Sequence, residues 1–273
     1  MAVHELTLDV KNLRGYFSRE LDPVLTVEPG DSVKLAVPNA GWFRDPYERV
    51  VARDPAVDTG HALAGPIEVR GATEGQTLEV GIEEVTLGEW GVTHAEPDHR
   101  IDWELADGVG RGGGRAVRLA PFLGVLGMPP PHAGVHSTIP PRRWGGNIDC
   151  KELVGGTTLF LPIPVDGALF SAGDGHAAQG DGEVSGTAIE APVSARLSLG
   201  LRDDLRLEWP LARIDGAWLT FGFDENLGLA ARAAVDGMLD LMKRELGLER
   251  ADALAFASVV VDLRVTQVVN QVL

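Results

Sequence analysis

Apolar and polar residues alternate along much of this chain with the two-residue period of strands that bury one face. Leu6–Val10 alternates in this way, and Val24–Val27 runs into the turn residues Glu28, Pro29, Gly30 and Asp31 before Val33–Val37 resumes the pattern. That order predicts a β-hairpin. Pro66–Arg70, the turn-forming Thr73–Gln76 and Thr77–Val85 predict a second, longer hairpin, and Ala195–Leu201 and Ala217–Phe221 carry the strand pattern again later.

Two stretches break the alternation. Glu89–Gly114 is polar, glycine-rich and weakly periodic, so it is expected to be a long surface excursion. Pro129–Pro131 and Pro140–Pro141 bracket His132–Thr138 and should hold it extended, because proline fixes its own φ and disfavours helix in the residue before it. Helical spacing emerges only near the C-terminus, where Leu227, Ala231, Val235, Met238, Leu241 and Met242 recur on one face. Asp224 or Asn226 can cap this helix and Gly247 stops it. A second helix is expected from about Glu249, entering Val259–Val261, whose β-branched residues suit helix or strand. The expected fold is mainly β, with antiparallel sandwich- or barrel-like sheets and a C-terminal α-helical segment; α+β is the second choice. No linker marks a boundary, so 1–273 is expected to be a single domain, β-rich over 1–223 and helical over 224–273.

Composition narrows the partners. The chain has 273 residues, enough for a sizeable core, and its 34 glycines and 17 prolines favour turns and strands over bundled helices. A formal net charge of −16 repels nucleic acid and anionic membrane surfaces, which leaves a small neutral substrate or a cation. One cysteine, Cys150, excludes an internal disulfide framework and a thiolate-rich zinc cluster. The opening M-A-V-H-E-L-T-L has no basic region followed by an apolar core, and no apolar run reaches bilayer length; a cytoplasmic location is the expectation.

Candidate chemistry concentrates between Gly145 and Glu190. G-G-N-I-D-C-K-E-L is followed by an apolar β-forming run that breaks into a loop expected to hold Asp174, His176, Gln179, Asp181 and Glu183, and the stretch closes on T-A-I-E. Asp174 and His176 lie two apart, which in extended backbone puts both side chains on one face, and Asp181 and Glu183 share that relation. Convergent carboxylates and a neutral imidazole suit a divalent ion. Asp149 and Glu190 can add ligands, and Asn147 can bind metal or donate to a developing oxyanion. The plain alternative is a surface loop in which Asp, Asn and Gly make turns.

Other combinations are weaker. Cys150 and Lys151 are adjacent and would point to opposite faces of a strand, so a small buried thiol is expected. His136-Ser137 are neighbours without the geometry of a catalytic pair, and G-x-S-x-G is absent. His132 and His136 suit a pocket wall, Arg142 can orient a carbonyl or make a surface ion pair, His61 is expected to be structural, and His94 and His99 to face solvent.

At these residues the chain resembles the acetamidase/formamidase family. The resemblance rests on H-A-G-V-H-S-T-I-P-P-R-R-W-G-G-N-I-D, on T-L-F-L-P-I-P-V-D-G-A-L-F-S-A-G-D-G-H-A-A-Q-G-D-G-E-V, on T-A-I-E, and on G-P-I-E-V-R-G-A-T-E-G-Q-T-L-E-V at Gly65–Val80. It covers most of the chain from about His61, whereas G-W-F-R-D at Gly41–Asp45 departs from it. The family implies a predominantly β oligomer, dimer or higher, that hydrolyses short-chain amides to carboxylate and ammonia and holds a divalent metal, zinc ahead of calcium. It also implies Asn147, Asp149, Asp174, His176, Gln179, Glu183 and Glu190 as site residues. Combined with the residue reading, Asp149, Asp174, His176 and Glu190 are expected at the metal, Glu183 and Asn147 in catalysis, and Gln179, His136 and Arg142 at the substrate. The expected activity is amide hydrolysis by a metal-activated water. Lactam or formamide-derivative hydrolysis on the same site, or a non-catalytic metal-stabilised β-sandwich binding protein, are the alternatives.

Overall fold

The computed structural model describes residues 1–95 and 98–273. Its larger sheet has seven strands in the order Val3–Leu6, Asp31–Val37, Val193–Arg202, Thr77–Leu87, Thr157–Pro162, Leu211–Ile214 and Ala217–Thr220. The second sheet runs Gly145–Asn147, Phe122–Gly127, Phe170–His176, Leu63–Val69 and Leu13–Arg14, with Leu25–Val27 joining Leu63–Val69 in parallel. Asp31–Val37 follows its alternation, burying Val33, Leu35 and Val37 while Lys34 faces water. Phe122–Gly127 and Phe170–His176 are buried along their whole length, as central strands covered on both faces must be. The inner faces share one core: Val33, Leu35 and Leu197 from the larger sheet meet Ile67, Leu126 and Phe170 from the smaller. Each such large apolar side chain contributes about 1.5–3 kcal/mol by leaving water. The mainly antiparallel β architecture with a C-terminal helical segment is the one the periodicity predicts.

Both predicted hairpins are corrected. Leu25–Val27 pairs with Leu63–Val69, while Asp31–Val37 lies in the other sheet. Leu63–Val69 and Thr77–Leu87 are likewise divided between the two sheets. Each turn carries the chain across the core, so both flanking strands bury an apolar face without pairing. Turn chemistry alone does not distinguish the two outcomes.

The excursion expected at Glu89–Gly114 is also corrected. Its residues contribute to a four-stranded antiparallel sheet in the order Arg115–Arg118, Val109–Gly112, His99–Ala106 and Trp90–Ala95. Ile101, Trp103 and Leu105 alternate with exposed Arg100, Asp102 and Glu104, a period-two signal diluted by the surrounding glycines. Trp103 and Leu105 pack on Ala177, Ile189 and Ala191, which docks this sheet beside the candidate site. Glu96 and Pro97, part of the same expected excursion, lie outside the described residues.

Two helices follow, α1 (Leu227–Leu246) and α2 (Arg250–Val260). Asn226, rather than Asp224, caps α1 by accepting the Gly228 and Leu229 N–H groups, and Gly247 ends it at φ 69°. Leu241 packs on Phe160, Leu205 and Leu211, and α2 sets Ala253 and Ala257 against Leu239 and Met242 of α1. Beyond α2 the chain returns to the loop around Gly182, whose N–H donates to Val265 and whose carbonyl accepts from Val268. Among the described residues no helix is long and apolar enough to cross a membrane.

Candidate active site and metal centre

Asp174 and His176 lie on the strand itself rather than on the loop after it. Both are almost fully buried, and His176 Nε2 stands 3.3 Å from Asp174 Oδ1 and 3.3 Å from Glu190 Oε1. Asp149 arrives just after the short strand Gly145–Asn147, and Glu190 from a segment bridged to both His176 and Val92. Glu183 reaches in from the loop that the C-terminal segment clamps. The neighbouring strand makes room through Gly124, where a Cβ would fall 2.5 Å from Asp174 Oδ2 and 2.6 Å from Asp149 Oδ1. Asp149, Asp174 and Glu183 have left-handed backbone, with φ of 49°, 62° and 42°. Such strain costs of order 1–3 kcal/mol per residue and concentrates at functional sites.

Polar accounting shows what the cluster lacks. Asn147 Oδ1, Asp149 Oδ1, Asp174 Oδ1 and Glu190 Oε2 are buried without a hydrogen-bond partner. An unpaired buried acceptor costs about 1–3 kcal/mol, more when charged. The tautomer of His176 follows from its neighbour. Gln179 Nε2 donates to the carbonyls of Asp149 (2.9 Å) and Thr266 (3.1 Å), which turns its Oε1 toward His176 Nδ1 at 2.9 Å. Nδ1 therefore carries a hydrogen, and Nε2 faces the carboxylates. The edge contact of Phe122, 5.0 Å between ring centroids at 84°, fixes the imidazole plane. With Nε2 facing two carboxylates, a positive centre is needed there, either a proton on Nε2 or a cation between the groups.

Without a cation, the ionisation tendencies favour the proton on His176. Burial disfavours a charged His176, yet Glu190 and Asp174 carry it well above the ordinary histidine range. Burial would raise Asp174 too, but His176 and His61 hold it well below the usual carboxylate range. For Asp149 burial outweighs His176, and with Asp174, Glu183 and Glu190 nearby its carboxyl is pushed well up. Burial likewise raises Glu183 to about 7, against His176 and with help from Glu190 and Asp174. Two ligand sets, Asp149–His176–Glu183 and Asp174–His176–Glu190, each gather their atoms within 4.8 Å, and these buried clusters could coordinate a divalent cation. The orphaned oxygens and the space kept by Gly124 fit such an ion.

A cavity of about 300 Å³ opens onto this cluster. Asn147, Asp149, Asp174, His176, Glu183 and Glu190 line its polar part. His61 also lines it, with Nδ1 2.8 Å from Thr138 Oγ1, which accepts the His61 backbone N–H at 2.9 Å. Thr138 is fully buried and has no other acceptor among the described residues, so its hydroxyl donates to Nδ1. That leaves His61 Nε2 as an N–H donor on the cavity.

Several expected residues lie elsewhere. Gln179 sits behind His176 and does not line the cavity. His136 contacts the His132 carbonyl and pairs with the Phe17 backbone, and the Arg142 guanidinium is held by the carbonyls of Ser137 and Pro140. Neither enters the cavity, because the proline-flanked stretch ties them to its own backbone. Asp181 does not converge with Glu183 but is exposed, 2.8 Å from Lys151. Cys150 is the expected buried thiol, pushed far up by burial. His94 is exposed as expected, at the cavity's rim. Sequence reasoning missed His61 as a cavity residue, and missed Phe43, Trp90 and Asn270, whose Nδ2 donates to Asp149 Oδ2 at 3.2 Å. No local pattern marks Asn270; for Phe43 the unmatched Gly41–Asp45 segment was the available signal.

Scaffold and site together define a β-rich protein with a buried carboxylate–imidazole centre suited to a divalent cation. The pattern of the Acetamidase/Formamidase family matches residues 131–212. A 48-residue stretch is 50% identical to the acetamidase of Mycolicibacterium smegmatis, covering 18% of this chain and 12% of that protein. The structure is similar to a predicted acetamidase/formamidase from Thermoanaerobacter tengcongensis (TM-score 0.89, 25% identity, 99% of this chain and 93% of that one). It is similar as well to an acetamidase from Bacillus halodurans (TM-score 0.88, 26% identity, 98% and 94%). The family match thus covers residues 131–212, and the fold is shared with solved acetamidases over nearly the whole chain.

Proposed function

We propose that this chain is a hydrolase that cleaves the C–N bond of simple linear amides, of the formamide and acetamide type, to carboxylate and ammonia. The observation that carries the reading is the buried cluster in which Asp174 and Glu190 converge on His176 Nε2 while Asp149 Oδ1, Asp174 Oδ1 and Glu190 Oε2 have no hydrogen-bond partner. Asp149, Asp174, His176 and Glu190 would hold a divalent cation. When bound, that ion supplies Lewis acidity, which makes water a stronger acid and polarises a carbonyl. Zinc is favoured over calcium because an imidazole joins the donors, whereas calcium takes oxygen ligands.

The chain's own groups supply the proton chemistry and the aim. Glu183, raised to about 7, can accept a proton from attacking water near neutrality and return it to the leaving nitrogen. Asn147 and His61 Nε2 are groups on the cavity that can donate to the amide oxygen, and losing one such donor typically costs ~3 kcal/mol of barrier. Gln179 orients His176. The shared core of the two sheets, with helices packed on their edge, supports residues 1–273 acting as a single domain. The reading includes a cytoplasmic location and a homo-oligomer, dimer or higher, the latter supported by exposed Leu254, Phe256 and Val259 on α2.

Dialysis against a chelator should abolish ammonia release from acetamide, and zinc should restore it. Glu183→Gln should lower turnover at least about a hundredfold with far less change in bound ion. Activity indifferent to chelator, or an unaltered Glu183→Gln turnover, would overturn this assignment.

A further inference from the structure

The cavity exceeds what formamide or acetamide needs. At about 300 Å³ it has the volume of roughly ten waters at ~30 Å³ each, whereas acetamide is a two-carbon amide. Its lining is also divided by chemistry. Polar atoms gather around the acid cluster, while Phe43, Pro46, Trp90 and Val92 present an apolar wall to the same space.

That wall is built, not incidental. Trp90 Nε1 donates to the Arg44 carbonyl at 3.4 Å, and the Phe43 N–H donates to Asn39 Oδ1 while its carbonyl accepts the Asn39 N–H. Both aromatic rings are only half buried and lie outside the hydrophobic core, so their remaining surface faces the cavity. Apolar side chains fixed around a few convergent polar groups are the usual anatomy of a small-molecule site. Arg100, the arginine in the cavity lining, is paired with Asp102 at 2.6 Å. The wall therefore suits an uncharged group. Phe43 and Pro46 also fall in or beside Gly41–Asp45, the segment that departs from the family pattern.

We propose that the amide this chain takes carries an uncharged apolar acyl group bulkier than acetyl, branched or aromatic, seated against Phe43, Pro46, Trp90 and Val92. The inference rests on the amidohydrolase reading and adds the substrate class. In the bound pose the amide lies at the acid cluster and the acyl group displaces water from the apolar wall.

The test is ammonia release by the zinc-supplied protein from formamide, acetamide, isobutyramide and benzamide, with calorimetric titration of benzamide and acetamide alongside. The kcat/KM for isobutyramide or benzamide should exceed that for acetamide at least about tenfold. Phe43→Ala and Trp90→Ala should shrink that ratio mainly through KM. Acetamide equal to or better than both larger amides sinks the proposal. Ammonia from none of the four removes the amidohydrolase reading instead, and calorimetry then decides the pocket separately. Benzamide binding tighter than acetamide sustains the apolar wall as a ligand surface, and benzamide failing to bind overturns it.

Discussion

Gln179 shows how an uncharged side chain sets the chemistry of a charged neighbour. Its two donated hydrogen bonds fix which end meets His176, and that decides which imidazole nitrogen faces the acids. Replacing it with leucine should free the ring and lower zinc affinity about 10–100-fold, the usual cost of losing an outer partner of a ligating histidine. Calorimetric titration with zinc measures this; an unchanged affinity would mean that Phe122 alone orients the ring. At this scale the sequence is informative where the two-residue spacing of Asp174 and His176 places them on one strand face. It is silent on His61, because the partner that makes it a donor, Thr138, is 77 positions away.

Among the elements, the strand Phe122–Gly127 matters for what it omits. Gly124→Ala would set a methyl group against two carboxylates, so bound ion and turnover should both fall to background while the circular dichroism of the sheets persists. Retained ion in a folded Gly124→Ala protein would mean that the acids can shift aside. Helix α1 was legible from spacing, cap and terminal glycine because all three are local signals. The sheet at Trp90–Arg118 was not, since glycines hide an alternation carried by only three apolar residues, Ile101, Trp103 and Leu105. The crossing turns were misread for a different reason. A turn sequence states that the chain reverses, not which sheet receives it.

For the whole molecule, an apolar surface stays uncovered on α2, where Leu254, Phe256, Val259 and Val260 are exposed. Phe256→Glu should therefore shift sedimentation toward the monomer, because a buried charge opposes association. A species already monomeric before the substitution would remove the oligomer from the reading. Strand order was beyond a single sequence, since the candidate site joins residues from Phe43 to Asn270.

That span has a consequence during synthesis. The carbonyl that steadies Gln179 belongs to Thr266, and the amide that reaches Asp149 belongs to Asn270. A nascent chain has made every sheet strand described, the last ending at Thr220, before either group exists. Until they arrive, Gln179 and Asp149 lack those partners, so a half-made copy carries an unfinished candidate site.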